Sequence, residues 1–255
     1  MPQFSRAIVR PPCSSFAQGL TTSSFGAPDF EIALVQHAEY VATLQALGLV
    51  VTELPPEDAY PDSTFVEDVA IAIPAGFILS NPGAAERKGE VALIEPQLAP
   101  VVGRIEAPGT LDGGDVCQMG QTFLIGISAR TNEEGARQLT DILQAQGFEA
   151  KTVDIRKSKT LLHLKSGLTF IDESLVIAHR ELAQHDALSL FEVVSPDADN
   201  AYAANAIAIN GKLLFAAGHE KLETKLRVRG CDVLPLEMSE FQKMDGGLSC
   251  LSLRY

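Results

Sequence analysis

Apolar positions along the chain alternate between two periods. Short runs of strand type pair across tight turns, and longer stretches with helical spacing follow them. Arg6-Ala7-Ile8-Val9-Arg10 predicts a strand ended by Pro11-Pro12. After Pro28, Asp29 caps a helix carrying Leu34, Ala38, Val41 and Leu44 or Gln45, and Gly48 stops it. Residues 49–54 predict a strand halted by Pro55-Pro56. Residues 69–73 and 77–79 predict a hairpin around Pro74-Ala75-Gly76, and Pro82-Gly83 leads into a helix carrying Arg87 and Lys88.

The pattern then recurs. Residues 116–119 and 122–126 flank a turn at Gly120. Thr131-Asn132-Glu133-Glu134 reads as a capping box for a helix with Ala136, Leu139, Ile142 and Leu143, ending near Gly147. A third copy spans 164–178 around Asp172-Glu173. A fourth spans 204–216 around Asn210-Gly211, followed by a helix at Leu222, Lys225 and Leu226 and a strand at 233–236. The last stretch, after Gly246-Gly247, predicts a strand with Leu251, Leu253 and Tyr255 on one face and Cys250 and Ser252 on the other. It opens a fifth copy whose remaining parts lie at the N-terminus. The anchor positions Asp68, Asp115, Gly167, Asn205 and Cys250 are 47, 52, 38 and 45 residues apart, a loose period of the kind that builds arrays and propellers. The expected architecture is α/β, with hairpin-helix-strand repeats closed into a ring, in one domain over residues 1–255. An ordinary open α/β sheet fits the same elements.

Composition narrows the functional classes. The formal net charge is −13, which disfavours nucleic acid and anionic membrane surfaces as partners. The four cysteines, at 13, 117, 231 and 250, show neither a C-x-x-C spacing nor a disulfide framework. Residues 69–79 form the longest apolar run, which contains Pro74 and Gly76 and is too short to span a bilayer. The N-terminal residues lack the apolar segment of a signal peptide. These features predict a soluble protein of a reducing compartment, the cytoplasm.

A cysteine nucleophile needs a base, an orienting group and something to polarise its substrate. Cys250 follows two glycines, which permit unusual backbone angles or close approach of a ligand. Taken alone it reads as a buried structural cysteine. His163 stands in an apolar run at a repeat start, whereas His37, His179, His185 and His219 lie in helix or polar loop contexts. Alone, His163 reads as a satisfied core histidine, and Asp112 beside Gly113-Gly114 as turn chemistry. In a ring, however, every repeat start points at one central place. Cys250, His163, Asp112 and Asp68 would converge there, which favours the catalytic reading.

Five motifs carry a resemblance over essentially the whole chain. They are Tyr60-Pro61-Asp62-Ser63-Thr64-Phe65-Val66-Glu67-Asp68, Gly109-Thr110-Leu111-Asp112-Gly113-Gly114-Asp115, Ile127-Ser128-Ala129-Arg130-Thr131-Asn132, Leu162-His163-Leu164-Lys165 and Asp245-Gly246-Gly247-Leu248-Ser249-Cys250. Together they resemble the dimethylarginine dimethylaminohydrolases, guanidino-modifying enzymes of the five-bladed, pseudo-symmetric α/β-propeller (pentein) fold. The resemblance implies blades around a central channel and hydrolysis of Nω-methylated arginines to citrulline and methylamine or dimethylamine through a covalent thiouronium. It implies Cys250 as nucleophile, His163 as general acid/base and Asp112 as the third catalytic carboxylate. The guanidinium pair falls on Glu67 and Asp68, and the groups holding the amino-acid end on Asp62, Arg87 and Arg130, with main-chain contacts at Leu20 and Met244. Residues 84–89 depart from the family's usual wording, which leaves Lys88 as an alternative to Arg87. The reaction type implies no metal and no organic cofactor, and the only partner implied is the small-molecule substrate; a homodimer is compatible. The same machinery also serves arginine deiminases, agmatine deiminases and amidinotransferases, and the fold includes a non-catalytic ribosome anti-association factor. No helical insertion of the arginine deiminase kind stands out, and Arg87 and Arg130 favour a substrate with a carboxylate over agmatine.

Overall fold

A computed structural model describes residues 1–255. The chain begins with β1 (Arg6–Val9), helix α1 (Phe30–Ala46) and β2 (Val50–Glu53). Asp29 accepts the Ile32 N–H to cap α1, and Gly48 takes the positive φ of 90° that ends it. A hairpin of β3 (Ala70–Ile73) and β4 (Gly76–Leu79) follows, then the short helix α2 (Glu90–Ile94) and β5 (Val101–Arg104). The next unit is β6 (Val116–Met119), β7 (Thr122–Ile127), α3 (Glu133–Ala145) and β8 (Glu149–Asp154). It is followed by β9 (Leu168–Asp172), β10 (Leu175–Ala178) and β11 (Glu192–Val194). The last full unit is β12 (Ile207–Ile209), β13 (Lys212–Ala216), α4 (Glu220–Val228) and β14 (Val233–Leu236). Helix α5 (Ser239–Gln242) and β15 (Leu253–Arg254) complete the chain.

The strands form five three-stranded sheets, each with one antiparallel and one parallel pairing. In four of them consecutive strands make a hairpin and the third strand returns parallel to its second member. The fifth closes the ring: β15 pairs antiparallel with β1 (Ile8 opposite Leu253) and β1 pairs parallel with β2. Joining the two ends of the chain in one sheet distinguishes this closed propeller from an open sheet. No helix is long and apolar enough to cross a membrane.

Four local expectations need correction. The cap of α3 is Asn132, which accepts the Gly135 N–H; Thr131 instead gives its hydroxyl to the buried Asp115 (2.7 Å), and Glu134 pairs with Arg137 (2.7 Å). No α-helix joins β10 to β11; tight turns such as Asp186–Leu188 do so. Arg87 and Lys88 precede α2 rather than lie on it. Cys250 lies in a tight helical turn, Leu248–Leu251, and the strand is only β15. Similar turns (Val66–Val69, Gly113–Asp115, Leu164–Ser166, Ala198–Ala204) precede β3, β6, β9 and β12. The repeat therefore includes a turn ahead of each hairpin, and these turns or the residues next to them bring Asp68, Asp112, His163, Asn205 and Cys250 to one end of the ring.

Candidate active site

Cys250, His163, Asp68, Arg87, Arg130 and Asp62 line one small cavity of ≈ 20 Å³, together with Leu20 and Met244. That volume holds about one water. The cavity is roofed by the segment after Gly19, where Leu20 gives its N–H to Asp62 (3.0 Å). Gly19 is required by close approach, since a Cβ there would lie 2.5 Å from the Asp62 carboxylate. Thr21 and Thr22 are tied to Asp245 through their hydroxyls and the Thr22 N–H.

Behind the cavity, His163 Nε2 meets Asp112 Oδ2 at 3.0 Å. Asp112 is fully buried and also accepts the Gly83 N–H (2.9 Å), so its direction is fixed. Burial disfavours the imidazolium of His163, yet Asp68, Asp112 and Asp115 outweigh it and raise its pKa to about 9. Burial also works against the Asp112 carboxylate, but the bond to His163 holds its pKa below the ordinary value. Gly114 lets these groups approach: a Cβ there would lie 2.7 Å from His163 Nδ1 and 2.9 Å from Asp68 Oδ1.

Cys250 has the opposite bias. Burial comes first, and the carboxylates of Glu67 and Asp68 add to it, pushing the thiol up to about 12. The Gly247 N–H, 3.4 Å from Sγ, and Lys165 oppose the shift without cancelling it. The resting pair at neutral pH is therefore a neutral thiol beside an imidazolium.

The remaining predicted residues divide. Asp68 accepts from Arg87 Nη1 (2.5 Å) and from the Gly114 N–H (2.9 Å). Arg87 is buried, bonded through Nε and Nη2 to Glu90, and held strongly protonated by Glu90 and Asp68 against the cost of burial. Lys88 is exposed and does not line the cavity, whereas Arg87 does. Arg130 is less committed, its guanidinium 3.9 Å from Asp112. Asp62 rises above the usual carboxylate pKa through burial, opposed by Leu20, Arg87 and Arg130. Glu67 is not brought to this cavity. Its carboxylate is held by Lys165 (2.7 Å), Arg254 (3.0 Å) and the Ser249 hydroxyl (2.8 Å), and it borders a separate ≈ 150 Å³ cavity within the ring.

Sequence reading gave no role to Asp115, Glu90, Lys165, Ser249 or Arg254. Asp115 is fully buried and accepts from Ser128 (2.6 Å), Thr131 (2.7 Å) and the Leu164 N–H (2.9 Å), tying the Arg130 loop to the His163 turn. Its place after Gly113-Gly114 was visible, but its partners lie 13 to 49 residues away. Asp68, Asp112 and His163 offer ligand atoms within 4.8 Å of one another. Arg87 and Gly114 bond to Asp68, Gly83 bonds to Asp112, and Asp112 pairs with His163 Nε2.

Fold and site define the class: a pentein of the guanidino-modifying type. The arginine deiminase family model matches residues 56–216. The chain is 39% identical to the N(G),N(G)-dimethylarginine dimethylaminohydrolase of Pseudomonas aeruginosa, over 99% of this chain and 100% of that one. It superposes with TM-score 0.96 on the solved structure of a Cys-to-Ser mutant of the P. aeruginosa enzyme complexed with citrulline, at 38% identity over 99% of this chain and 100% of that one. A dimethylarginine dimethylaminohydrolase His-to-Gly adduct with S-methyl-L-thiocitrulline gives 0.95, at 38% identity over the same shares. The chain belongs to the dimethylarginine dimethylaminohydrolase family.

Proposed function

We propose that this protein hydrolyses Nω-methylated arginines to citrulline and the corresponding methylamine, with Cys250 as nucleophile. The observation that carries the reading is the shared cavity of Cys250 and a carboxylate-paired, protonated His163, walled by Asp68 and Arg130. Asp68 meets the guanidinium, whose planar N–H groups match a carboxylate. Arg130 meets the carboxylate of the amino acid and Asp62 its ammonium, with Leu20 and Met244 contributing main-chain contacts. Phe65, Leu162 and Met244 give the same cavity an apolar wall suited to N-methyl groups. Glu67 acts from behind the nucleophile turn, through Ser249. Arg87 acts through Asp68, which it holds ionised and in place. The protein works as a soluble cytoplasmic enzyme.

The bound guanidinium lowers the thiol pKa, the Cys250 proton passes to solvent, and the thiolate attacks the guanidinium carbon. His163 gives its proton to the methylated nitrogen, and the amine leaves as the C–N bond breaks. A cationic thiouronium remains on sulfur. Neutral His163 then takes one proton from water as the oxygen attacks, and the C–S bond breaks as the carbonyl of citrulline forms, the second water proton returning Cys250 to the neutral thiol. Asp112 holds the imidazole ring and stabilises its charged form throughout.

Steady-state kinetics with dimethyl-, monomethyl- and unmethylated arginine test this reading. Each methyl group filling an apolar pocket is worth about 10-fold or more in kcat/KM, so the methylated substrates should lead. A preference for arginine itself would make the protein an arginine deiminase. Arg130→Ala tests the amino-acid end. Loss of a charged hydrogen bond, about 1.5–3 kcal/mol, should raise KM by about 10- to 150-fold. An unchanged KM for an α-amino-acid substrate would remove Arg130 from that role.

A further inference from the structure

The fourth repeat start carries no group that the proposed reaction uses. Its anchor is Asn205, which is buried and ends the turn Ala198–Ala204. The carboxamide is fully engaged. Its oxygen accepts the Ser249 N–H (2.9 Å), and its nitrogen donates to the Ser249 hydroxyl (3.0 Å) and to the Lys165 carbonyl (3.1 Å). Ser249 directly precedes Cys250, and Lys165 lies in the tight turn that follows His163. Gly247 packs on the same carboxamide so closely that a Cβ would lie 2.5 Å from its carbon. The Gly247 N–H is the donor aimed at Cys250 Sγ.

We propose that Asn205 is a positioning residue for the reaction: it locks the nucleophile turn to the histidine turn and aims the Gly247 N–H at sulfur. This rests on the reading of Cys250 as nucleophile. Three features support it over simple packing. One side chain bonds to both turns that supply the reacting groups. Two of the bonds grip Ser249, the residue immediately before Cys250. The same side chain sets the floor against which Gly247 lies, and that glycine has no room for any other residue. The Ser249 hydroxyl passes the contact on to Glu67, so the grip also reaches the group that Lys165 and Arg254 hold.

The test is Asn205→Ala, with Ser249→Ala as a second variant that removes one of the bonds if the first fails to fold. Two readouts are needed: steady-state turnover of dimethylarginine, and the pH profile of Cys250 alkylation by a cationic haloacetamidine. Misplacing the turn should lower kcat by about 10- to 100-fold with KM changed less than about 3-fold, because orientation rather than ground-state binding is lost. Weakening the N–H bond to the thiolate should move the alkylation midpoint up by about one pH unit. Variants that lose thermal stability but keep the wild-type kcat and alkylation midpoint would overturn the proposal and leave Asn205 a packing residue. Alkylation reads the thiol without turnover. A wild-type protein that alkylates normally yet hydrolyses no methylarginine would therefore count against the substrate, not against the role of Asn205.

Discussion

Replacing His163 with glutamine should lower kcat by about 100- to 10,000-fold, the usual range for a positioned general acid and base. Glutamine retains a hydrogen-bond donor toward Asp112 but carries no transferable proton. The wild-type profile supplies an internal check. His163 has its pKa raised to about 9, so the imidazolium is complete at pH 7 and disappears as the pH passes 9. Activity that needs this proton should therefore fall on the alkaline side with a limb near 9, and His163→Gln should lack that limb. Stability follows the same sign. A histidine raised from 6.5 to about 9 favours the folded state fully below pH 6.5, and that contribution is lost between 6.5 and 9. Thermal melts of wild type should drop across this window relative to the variant. A wild-type alkaline limb that persists in the glutamine variant would assign it to another group.

The ring was legible in the sequence because the hairpin turn signal recurs at a loose period of 38 to 52 residues. Asn210-Gly211, with φ of 48° and 86°, and Gly120, with φ of 62°, sit where backbone of that hand is required, and both turns were readable as hairpins. Closure was legible only as one of two options, because the last stretch reads as the opening of a fifth copy completed at the N-terminus while an open sheet fits the same elements; the pairing of β15 with β1 decides between them. The turns preceding the hairpins were not, because a single helical turn has no hydrophobic period to betray it. That error put Cys250 on a strand. The site was legible as a set of residues but not as a geometry. Glu67 and Asp68 are adjacent, yet the tight turn sends them opposite ways, Asp68 to the Cys250 cavity and Glu67 toward Lys165 and Arg254. Adjacency in sequence predicts a shared role only when the backbone between the two is known. Arg87 shows a second limit. Its burial against Asp68 and Glu90 makes it a fixed counter-ion, and this depends on Glu90, whose side chain no motif had marked.

A cationic amidine should alkylate Cys250 at pH 7 at least about 100-fold faster than a neutral reagent of equal intrinsic reactivity. The free thiol is pushed up to about 12, first by burial and then by the nearby Glu67 and Asp68. At pH 7 almost none of it is thiolate, and a neutral reagent meets a poor nucleophile. A guanidinium or amidinium bound at Asp68 cancels that anion and places a positive charge beside sulfur. Each kind of change lowers a thiol pKa, and a shift of two units alone supplies a factor of about 100 in thiolate. Histidine does not act as the ionising partner in the free state, because its charge is already bound up with Asp112 and the surrounding carboxylates. The proposed reaction then requires the substrate to ionise the group that attacks it, and the thiolate should form chiefly when a guanidine is bound. Ultraviolet difference spectra give an independent measure: a non-reactive guanidine should raise thiolate absorbance in wild type and leave Cys250→Ser unchanged. A full thiolate signal in the free enzyme near pH 7 would sink this account in favour of a standing Cys250–His163 ion pair.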